Sequence, residues 1–311
     1  MPTAAMNEAL PAVRTIGPAL PRGSFDTLVL GVYRAAVNLR LAGCDTLASL
    51  TGPSGEGLPG AISLAAEVDF RAFGLAVGAR GSLDDSTLAL DAAFFPLRID
   101  LGGAARLAPR PMPRIERIGE SFRTLLAELG RIQDSKKTEL RIGTLVDTTR
   151  PATPAAATIR RGAALLATGS PDSAAAAIGL LIGTGPGLTP SGDDFLAGYL
   201  ASAIARRAEA FAALAREVEA GSKATNELSA SLLRQASRGH FSPALIDLAE
   251  ALAGNSISPA VTALRRLCAH GHSSGADMAS GFLFGLGATR LSRTELHDSA
   301  IGTERRRQHA S

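Results

Sequence analysis

Residues 183–200 read GTGPGLTPSGDDFLAGYL, and residues 274–283 read SGADMASGFL. When residue 191 is aligned with residue 274, the serine, the glycine, one aspartate, a later glycine and the last leucine recur. Each stretch runs from small polar residues into an apolar segment, which is typical of a turn that leads into a helix. The two stretches therefore predict two related helix starts.

The similarity extends upstream of both stretches. Leu166 and Leu181 align with Leu252 and Leu267 at an offset of 86 residues, whereas the offset downstream is 83. A slightly longer loop in the first copy accounts for the difference. Because self-similarity at a regular spacing is the signature of a repeated unit, we predict an internal helical duplication. Each copy reads helix, turn, helix, glycine-rich loop, helix.

The first hundred residues have a different pattern, in which short apolar runs are separated by turn-forming residues. Such runs predict β-strands, here at residues 28–30, 36–41, 61–64, 75–77 and 88–90. Residues 33–40 fit a helix equally well by periodicity. A helix is predicted at 115–132, and from residue 155 alanine-rich helical segments dominate, the longest of them at 191–217.

These patterns predict an α+β fold, with a β-rich N-terminal domain followed by a mainly α-helical C-terminal domain that contains the duplication. The predicted β-rich domain is 1–107, and a linker with a connecting helix is 108–154. The predicted helical domain, which would bind anions, is 155–290, and a polar tail is 291–311.

The composition argues against several classes of protein. Of the 311 residues, 46% are hydrophobic and 20% charged, which is typical of a globular chain. Only 4% are aromatic, so stacking platforms for nucleic acid are not expected, and the basic run at 305–307 lies in the polar tail. No apolar run approaches the roughly 18 residues that span a bilayer. Residues 1–19 do not resemble a signal peptide. We expect no nucleic-acid partner and no membrane partner.

The counts of cysteine and lysine add two observations. Cys44 and Cys268 are too few for a disulfide framework, which favours a reducing cytoplasm. Lysine occurs only at positions 136, 137 and 223, and arginine supplies the other cations. We interpret this preference for arginine as codon bias rather than as a binding surface.

The loop at 183–190 and the helix start that follows it have the features of an anion site. Glycine permits positive φ and close approach of the backbone, and the first amides of a helix attract negative charge. The loop lacks the lysine of a Walker A motif, and no predicted strand precedes it, so nucleotide binding is not indicated. The predicted anion-binding residues of this copy are Gly185, Gly187, Thr189, Ser191 and Gly192.

The acidic pair at the same helix start has several interpretations. Ser191 and Asp194 fit a capping-box-like arrangement, which would be purely structural. Capping does not explain Asp193, because the second copy has Ala276 at that position. Two adjacent carboxylates also suit Mg²⁺, which prefers oxygen ligands. We take Asp193 and Asp194 as candidate catalytic residues and as candidate Mg²⁺ ligands.

The second loop, at 270–273, supplies further polar groups. His272 is a candidate hydrogen-bond donor or general acid–base residue, hence a third candidate catalytic residue. The predicted anion-binding residues of this copy are Ser273, Ser274, Gly275 and Asp277. A zinc site that uses His270 and His272 is one alternative, and a purely structural histidine is another.

A polar segment at 223–229 lies between the two copies. Thr225 and Asn226 begin a short run of polar residues with helical spacing. They either form a polar wall of the anion-binding site or belong to a capped, solvated helix.

The stretches GPGLTPSGDDFLAG at 185–198 and GHSSGAD at 271–277 resemble the AllH family, and so does the segment 233–241 between them. The resemblance implies a cytoplasmic bacterial protein of purine breakdown and allantoin degradation. It also implies a subunit of oxamate carbamoyltransferase that acts with AllF and AllG. The assembled enzyme converts oxalurate and phosphate to oxamate and carbamoyl phosphate.

The resemblance therefore predicts a carbamoyltransferase subunit whose activity needs AllF-like and AllG-like partners. Oxalurate, oxamate, phosphate and carbamoyl phosphate are all anions, which is compatible with two helix starts that stabilise developing negative charge. Two alternatives stay open. One is a hydrolase of a ureido or amide substrate that acts alone, with Asp193, Asp194 and Asp277 near Mg²⁺. The other is an assembly subunit without catalytic residues.

Overall fold

A computed structural model describes residues 10–93, 95–119, 121–147, 149–150 and 152–287. The chain divides into two compact units, Met1–Arg110 and Pro111–Ser311. The predicted polar tail at 291–311, with its basic run, lies outside the described residues, and so do residues 1–9 and 288–290.

The first unit is a nine-stranded half-barrel sheet. Its strands are β1 (Val13–Ile16), β2 (Phe25–Val32), β3 (Ala36–Leu41), β4 (Leu47–Thr51), β5 (Ala61–Leu64), β6 (Arg80–Leu83), β7 (Thr87–Leu90), β8 (Leu97–Asp100) and β9 (Ala105–Arg106). Their order across the sheet is β8-β7-β6-β2-β3-β4-β5-β1-β9. The pairs β4–β5 and β1–β9 are parallel, and the other neighbours are antiparallel.

The buried face of this sheet forms the core of the first unit. Along β2, buried and partly exposed residues alternate, so that Val29 is buried with no exposed surface. This period of two is expected for a strand with one covered face. Residues 36–41 form a strand, which decides between the two interpretations of 33–40.

The predicted strand at 75–77 is wrong. Val77 lies in a turn and is 69% exposed, and the amide of Ala79 donates to the carbonyl of Ala76. Gly74 and Gly78, with φ of 67° and 87°, bend the backbone on either side of this short apolar run. The run is therefore too short to pair as a strand.

The second unit is helical, which confirms the predicted α+β fold class. Its helices are α1 (Ser121–Lys136), α2 (Ile142–Val146), α3 (Pro154–Ala167), α4 (Pro171–Leu181), α5 (Ser191–Ala205), α6 (Phe211–Gly221), α7 (Glu227–Ser237), α8 (Pro243–Ala253), α9 (Ile257–Cys268) and α10 (Ser274–Gly287). Among the described residues, no helix is long and apolar enough to cross a membrane.

Two predicted helices differ from the observed ones. The segment 191–217 is two helices, because the chain turns between α5 and α6, where Arg207 adopts a φ of 50°. No glycine or proline marks this turn in the sequence. The connecting helix begins at Ser121 rather than near residue 115, and it continues to Lys136.

The internal duplication is visible in the order and packing of the helices. Helices α3, α4 and α5 correspond to α8, α9 and α10. A Cβ added at Gly192 would overlap the carbonyl oxygen of Leu181, and one added at Gly275 would overlap that of Leu267. These four positions are equivalent in the two copies, so each copy closes its helix pair by the same glycine contact.

Helices α5 and α10 pack side by side, backbone against backbone, and run in the same direction. A Cβ at Gly198 would overlap the carbonyl oxygen of Met278, and a Cβ at Gly281 would overlap that of Phe195. Gly198 is equivalent to Gly281 and Phe195 to Met278, so exchanging the copies reproduces the contact. The two helices are therefore related by a pseudo-twofold axis that runs between them.

Candidate functional site

The first turns of α5 and α10 meet, and we call residues 191–194 and 274–277 the paired helix starts. The hydroxyl of Ser274 donates to Oδ1 of Asp194 over 2.8 Å. In the reverse direction, the hydroxyl of Ser191 lies close enough to Asp277 to lower the pKa of that carboxyl. The serine of each copy thus faces the acid of the other copy. This crossed arrangement follows from the pseudo-twofold axis.

Asp194 and Asp277 are completely buried, and three of their four carboxyl oxygens lack a hydrogen-bond partner. Both side chains are 0% exposed. Within the described part of the chain, Oδ2 of Asp194 and both oxygens of Asp277 have no partner in hydrogen-bond geometry, although the hydroxyls of Thr189, Ser191 and Ser273 lie near enough to lower the pKa of these carboxyls. Buried polar atoms are almost always paired in proteins, so three such oxygens at one place mark a site with an unmet requirement for hydrogen-bond donors.

The environment of these two carboxyls favours their protonated forms. Burial raises the pKa of Asp194 well above its usual range, and the charge of Asp277 raises it further, against the effect of the Ser274 hydrogen bond. Burial also raises the pKa of Asp277 to about 7, although the hydroxyls of Ser191 and Ser273 lower it. Two neighbouring acids that share a poorly solvated space titrate as a pair. The pair therefore retains a proton near neutral pH.

Ser191 does not cap α5, contrary to the capping interpretation. It is the first residue of the helix and is buried, whereas Pro190 occupies the N-cap position and makes no side-chain capping bond. Its hydroxyl faces Asp277 instead. The serine and aspartate of this motif therefore link the two copies rather than closing a single helix end.

Asp193 connects the first loop to the start of α7 through hydrogen bonds. Its Oδ1 accepts from the amide of Gly183 over 2.8 Å. Its Oδ2 accepts from the hydroxyls of Thr225 and Ser229 over 2.7 Å and 2.6 Å. Because both oxygens are engaged and the side chain is buried, Asp193 is positioned to hold the loop.

The predicted polar wall formed by Thr225 and Asn226 contacts the first loop directly. Thr225 donates to Asp193, and Asn226 donates from Nδ2 to the carbonyl of Leu188 over 2.9 Å. Asn226 is also the N-cap of α7, since its Oδ1 accepts from the amide of Ser229. Both residues thus fix the course of the loop.

The first loop bends at three glycines. Gly183, Gly185 and Gly187 have φ values of 74°, 113° and 100°, in the region that favours glycine. At Gly185 the backbone also passes so close to α5 that an added Cβ would lie 2.9 Å from the amide nitrogen of Ser191. This close approach requires glycine at position 185.

The amides at the start of α5 are largely occupied by carbonyls of the chain itself. The amide of Gly192 donates to Thr184 over 2.8 Å, and the amides of Asp193 and Asp194 donate to Pro190 over 2.9 Å and 3.2 Å. The predicted anion contact through the Gly192 amide thus competes with an existing hydrogen bond. Thr189 and Ser273 are partly exposed and carry the more accessible hydroxyls, whereas the hydroxyl of Ser274 is already donated to Asp194.

The second loop places its two histidines at the surface of this region. His272 is exposed, and its ring makes no hydrogen bond with the described residues. His270 is partly exposed, and its Nδ1 lies 3.1 Å from the carbonyl of Arg266. The amide of Gly275 donates to the carbonyl of His270 over 3.2 Å, so this helix start is also partly satisfied.

Sequence reasoning missed Lys136, which holds the second loop from α1. Its Nζ donates to the carbonyls of Cys268, Gly271 and His272 over 2.5 Å, 3.2 Å and 3.0 Å. These carbonyls include the end of α9, where a positive charge is favourable. The scarcity of lysine in the chain was the one signal in the sequence that singled out this position.

Gln133, one turn earlier on α1, anchors α10 in the same way. Its Nε2 donates to the hydroxyl of Ser280 over 2.8 Å, and its Oε1 accepts from the amide of Ile142 over 2.8 Å. Gln133 is completely buried, so this bridge is part of the core. Helix α1 therefore positions both α10 and the loop that precedes it.

The contacts of the acidic residues do not favour one Mg²⁺ shared by Asp193 and Asp194. Both oxygens of Asp193 are turned towards Gly183, Thr225 and Ser229. No group of three or more histidine, cysteine, aspartate or glutamate side chains that could hold a metal ion is found in the described ranges. The donor set therefore suits hydrogen bonding better than metal coordination.

Comparison with known proteins identifies the same region. The family model described as oxamate carbamoyltransferase subunit AllH matches residues 181–286. The matched segment begins at the end of α4, includes both paired helix starts and ends within α10. No solved structure matches the chain. The resemblance to AllH is thus confirmed over these residues.

Proposed function

We propose that this chain is a subunit of an enzyme that converts oxalurate and phosphate to oxamate and carbamoyl phosphate. It acts in the cytoplasm, in purine and allantoin breakdown, together with AllF-like and AllG-like subunits. One observation supports this proposal above the others. The segment that matches AllH contains both paired helix starts, where Asp194 and Asp277 are buried with unpartnered oxygens.

The reaction requires a proton at a defined place. A phosphate oxygen bonds to the carbamoyl carbon of oxalurate, and the bond from that carbon to the oxamate nitrogen breaks. The departing nitrogen must then receive a proton to leave as the amide of oxamate. Groups that hold a proton near neutral pH are suited to this role as general acids. Among the described residues, Asp194 and Asp277 are the carboxyl groups whose pKa is raised by burial.

The surrounding residues have distinct roles in the proposal. Thr189 and Ser273 supply partly exposed hydroxyls for phosphate or for the substrate carboxylate, and Ser274 holds the carboxyl of Asp194. Gly185, Gly187 and Gly275 allow the backbone to approach closely at the two loops. Asp193, Thr225 and Asn226 fix the first loop. His272, exposed on the second loop, is a further candidate for proton transfer at the surface.

An omission experiment tests the proposal. This chain is combined with AllF-like and AllG-like proteins from the same genome, and carbamoyl phosphate is measured from oxalurate and phosphate with each protein left out in turn. We expect activity that depends on phosphate and is lost when this chain is omitted. Full activity without this chain would reject a catalytic role. Hydrolysis of oxalurate by this chain alone, without phosphate, would instead favour the alternative in which the chain is a hydrolase that acts without partners.

A pair of variants tests whether the activity depends on the paired helix starts. Asp194→Asn removes the acid from the buried pair and should abolish most of the activity of the complete mixture. Asp172→Asn makes the same chemical change at an exposed first-turn position of α4 and should leave activity unchanged. Equal activity of the two variants would show that the paired helix starts take no part in the reaction.

A further inference from the structure

The unpartnered atoms at the paired helix starts are all hydrogen-bond acceptors when the carboxyls are ionised. They are Oδ2 of Asp194 and both carboxyl oxygens of Asp277. Several nearby backbone donors are already used, since the amide of Gly192 bonds to Thr184 and the amide of Asp277 bonds to the carbonyl of Ser273. A ligand that brings N–H or O–H groups of its own is complementary to these acceptors.

The charges in this region disfavour an anion at the same depth. Asp193 adds a third carboxyl to the first turn of α5, and the charge of Glu139 also acts on Asp277. Nζ of Lys136 donates to carbonyls of the second loop, so its positive charge interacts with those carbonyls rather than with the two carboxyls. An anion next to Asp194 and Asp277 would meet like charge in a poorly solvated space, which is costly.

A neutral primary amide satisfies these acceptors. Its NH₂ group donates to a carboxyl oxygen, and its carbonyl oxygen accepts the proton of a protonated carboxyl, so that two hydrogen bonds form in one plane. The raised pKa of Asp277 keeps a proton available for the second bond near neutral pH. A urea group presents the same edge as a primary amide.

We infer that Asp194 and Asp277, at the paired helix starts, bind the primary amide or ureido end of a ligand, and that the anionic end of the ligand does not lie against these two carboxyls. Ser274 holds one oxygen of Asp194 and leaves the other for the ligand. Ser273, whose hydroxyl lies beside Asp277, is partly exposed, so the ligand approaches the carboxyls from the side of this residue. The inference rests on the proposed function, because that function supplies oxamate as the ligand for the test.

Binding of two matched small acids to the full chain tests this inference. Oxamate carries one carboxylate and one primary amide, whereas oxalate has a second carboxylate in place of the amide. Isothermal titration calorimetry near neutral pH should show oxamate binding at least about tenfold more tightly, because oxalate leaves the acceptors unpaired. Oxalate that binds as tightly as oxamate would overturn the inference, and so would a failure of oxamate to bind.

Two variants of Asp277 separate recognition from a structural role. Asp277→Asn retains one acceptor and one donor group for a planar pair with an amide, so its oxamate affinity should stay within about threefold of the wild type. Asp277→Leu has a similar size but no polar atoms, and its affinity should fall by about tenfold or more. Circular dichroism confirms that each variant is folded. Undiminished binding by a folded Asp277→Leu protein would contradict the inference.

The outcomes are distinguishable from failure of the proposed function. The proposed function is judged by the omission experiment, which needs no binding measurement on the isolated chain. If omission abolishes activity while oxalate binds as tightly as oxamate, the chain is a transferase subunit with a different mode of binding. If omission has no effect, the proposed function fails, whereas selective binding of oxamate would still support an amide site at the paired helix starts.

Discussion

The hydroxyl of Ser274 donates a hydrogen bond of 2.8 Å to the carboxyl of Asp194, a residue that lies 80 positions earlier in the chain. The two residues belong to different copies of the duplicated unit. The equivalent contact runs from Ser191 towards Asp277. The aspartate of each copy is therefore contacted by the serine of the other copy. The duplication thus brings one carboxyl from each copy into a single buried pair.

Replacing Ser274 tests this dependence. Ser274→Ala removes the 2.8 Å hydrogen bond to the carboxyl of Asp194, which is completely buried. We expect the free energy of unfolding to fall by about 1–3 kcal/mol at neutral pH, the typical cost of an unsatisfied buried group. Urea denaturation followed by circular dichroism measures the change. Unaltered stability would mean that Asp194 finds another donor.

Replacing Asp193 tests its role as a brace of the first loop. Asp193→Ala removes the acceptor of Gly183, Thr225 and Ser229 together, so the free energy of unfolding should fall by at least about 2 kcal/mol. Protease sensitivity of the loop at 183–190 should rise in parallel. Asp172→Ala, at an exposed position, is the matched control and should change neither quantity. A stable Asp193→Ala protein that lacks activity would instead support direct participation in the reaction.

Much of the helical unit could be predicted from its sequence. The repeated serine, glycine and aspartate pattern located both helix starts, and α5 and α10 begin at the aligned residues Ser191 and Ser274. Local chemistry also explains the capping interpretation, because a serine followed three residues later by an acid fits a capping box. The partner of each serine lies in the other copy, and no spacing within one copy contains that information.

Other features depend on contacts between residues distant in sequence. Lys136 and Gln133 are ordinary polar residues of a helix until α1 is placed against α10. The turn between α5 and α6 contains neither glycine nor proline, and Arg207 adopts its left-handed φ without a local signal. In the first unit, apolar runs predict four of the nine strands, β2, β3, β5 and β7, and the order β8-β7-β6-β2-β3-β4-β5-β1-β9 follows from pairing that the runs do not specify.

The close packing of α5 and α10 predicts a strong effect at Gly281. Gly281→Ala places a methyl group against the carbonyl oxygen of Phe195, so the helices must separate. We expect a loss of about 3 kcal/mol or more in the free energy of unfolding, at the upper end for overpacked cores. Gly130→Ala in α1 is the control, since an added Cβ there meets nothing within 4 Å. It should stabilise the protein by about 0.5–1 kcal/mol, because alanine is the better helix former.

Lys136 should control the order of the second loop. Lys136→Met retains most of the aliphatic length but removes the charged donor from the carbonyls of Cys268, Gly271 and His272. Amide hydrogen exchange at 269–273 should accelerate by about tenfold or more, because local opening no longer breaks charge-assisted hydrogen bonds. Lys137→Met removes the same charge from an exposed neighbour and should leave exchange in the loop unchanged. Equal acceleration in both variants would attribute the effect to net charge.

The buried acid Asp277 should make stability depend on pH in a specific direction. Its pKa is about 7 in the folded protein, whereas an unfolded aspartate has a pKa of about 3.9. Between about pH 4 and pH 7 the folded state therefore binds a proton that the unfolded state does not, and stability falls as pH rises through this window. Three pKa units correspond to at most about 4 kcal/mol.

Asp277→Asn should remove this contribution, because the amide does not titrate. The free energy of unfolding of the variant, minus that of the wild type, should be larger at about pH 8.5 than at about pH 4, by up to about 4 kcal/mol. Urea denaturation at both pH values, with Asp172→Asn as the control, gives the two differences. Because the charge of Asp277 raises the pKa of Asp194, the difference reports on the coupled pair rather than on Asp277 alone. If the difference in free energy of unfolding between variant and wild type did not change with pH, Asp277 would be ionised in the folded protein at no cost in stability. The interpretation that Asp277 and Asp194 form a buried pair that retains a proton would then be rejected.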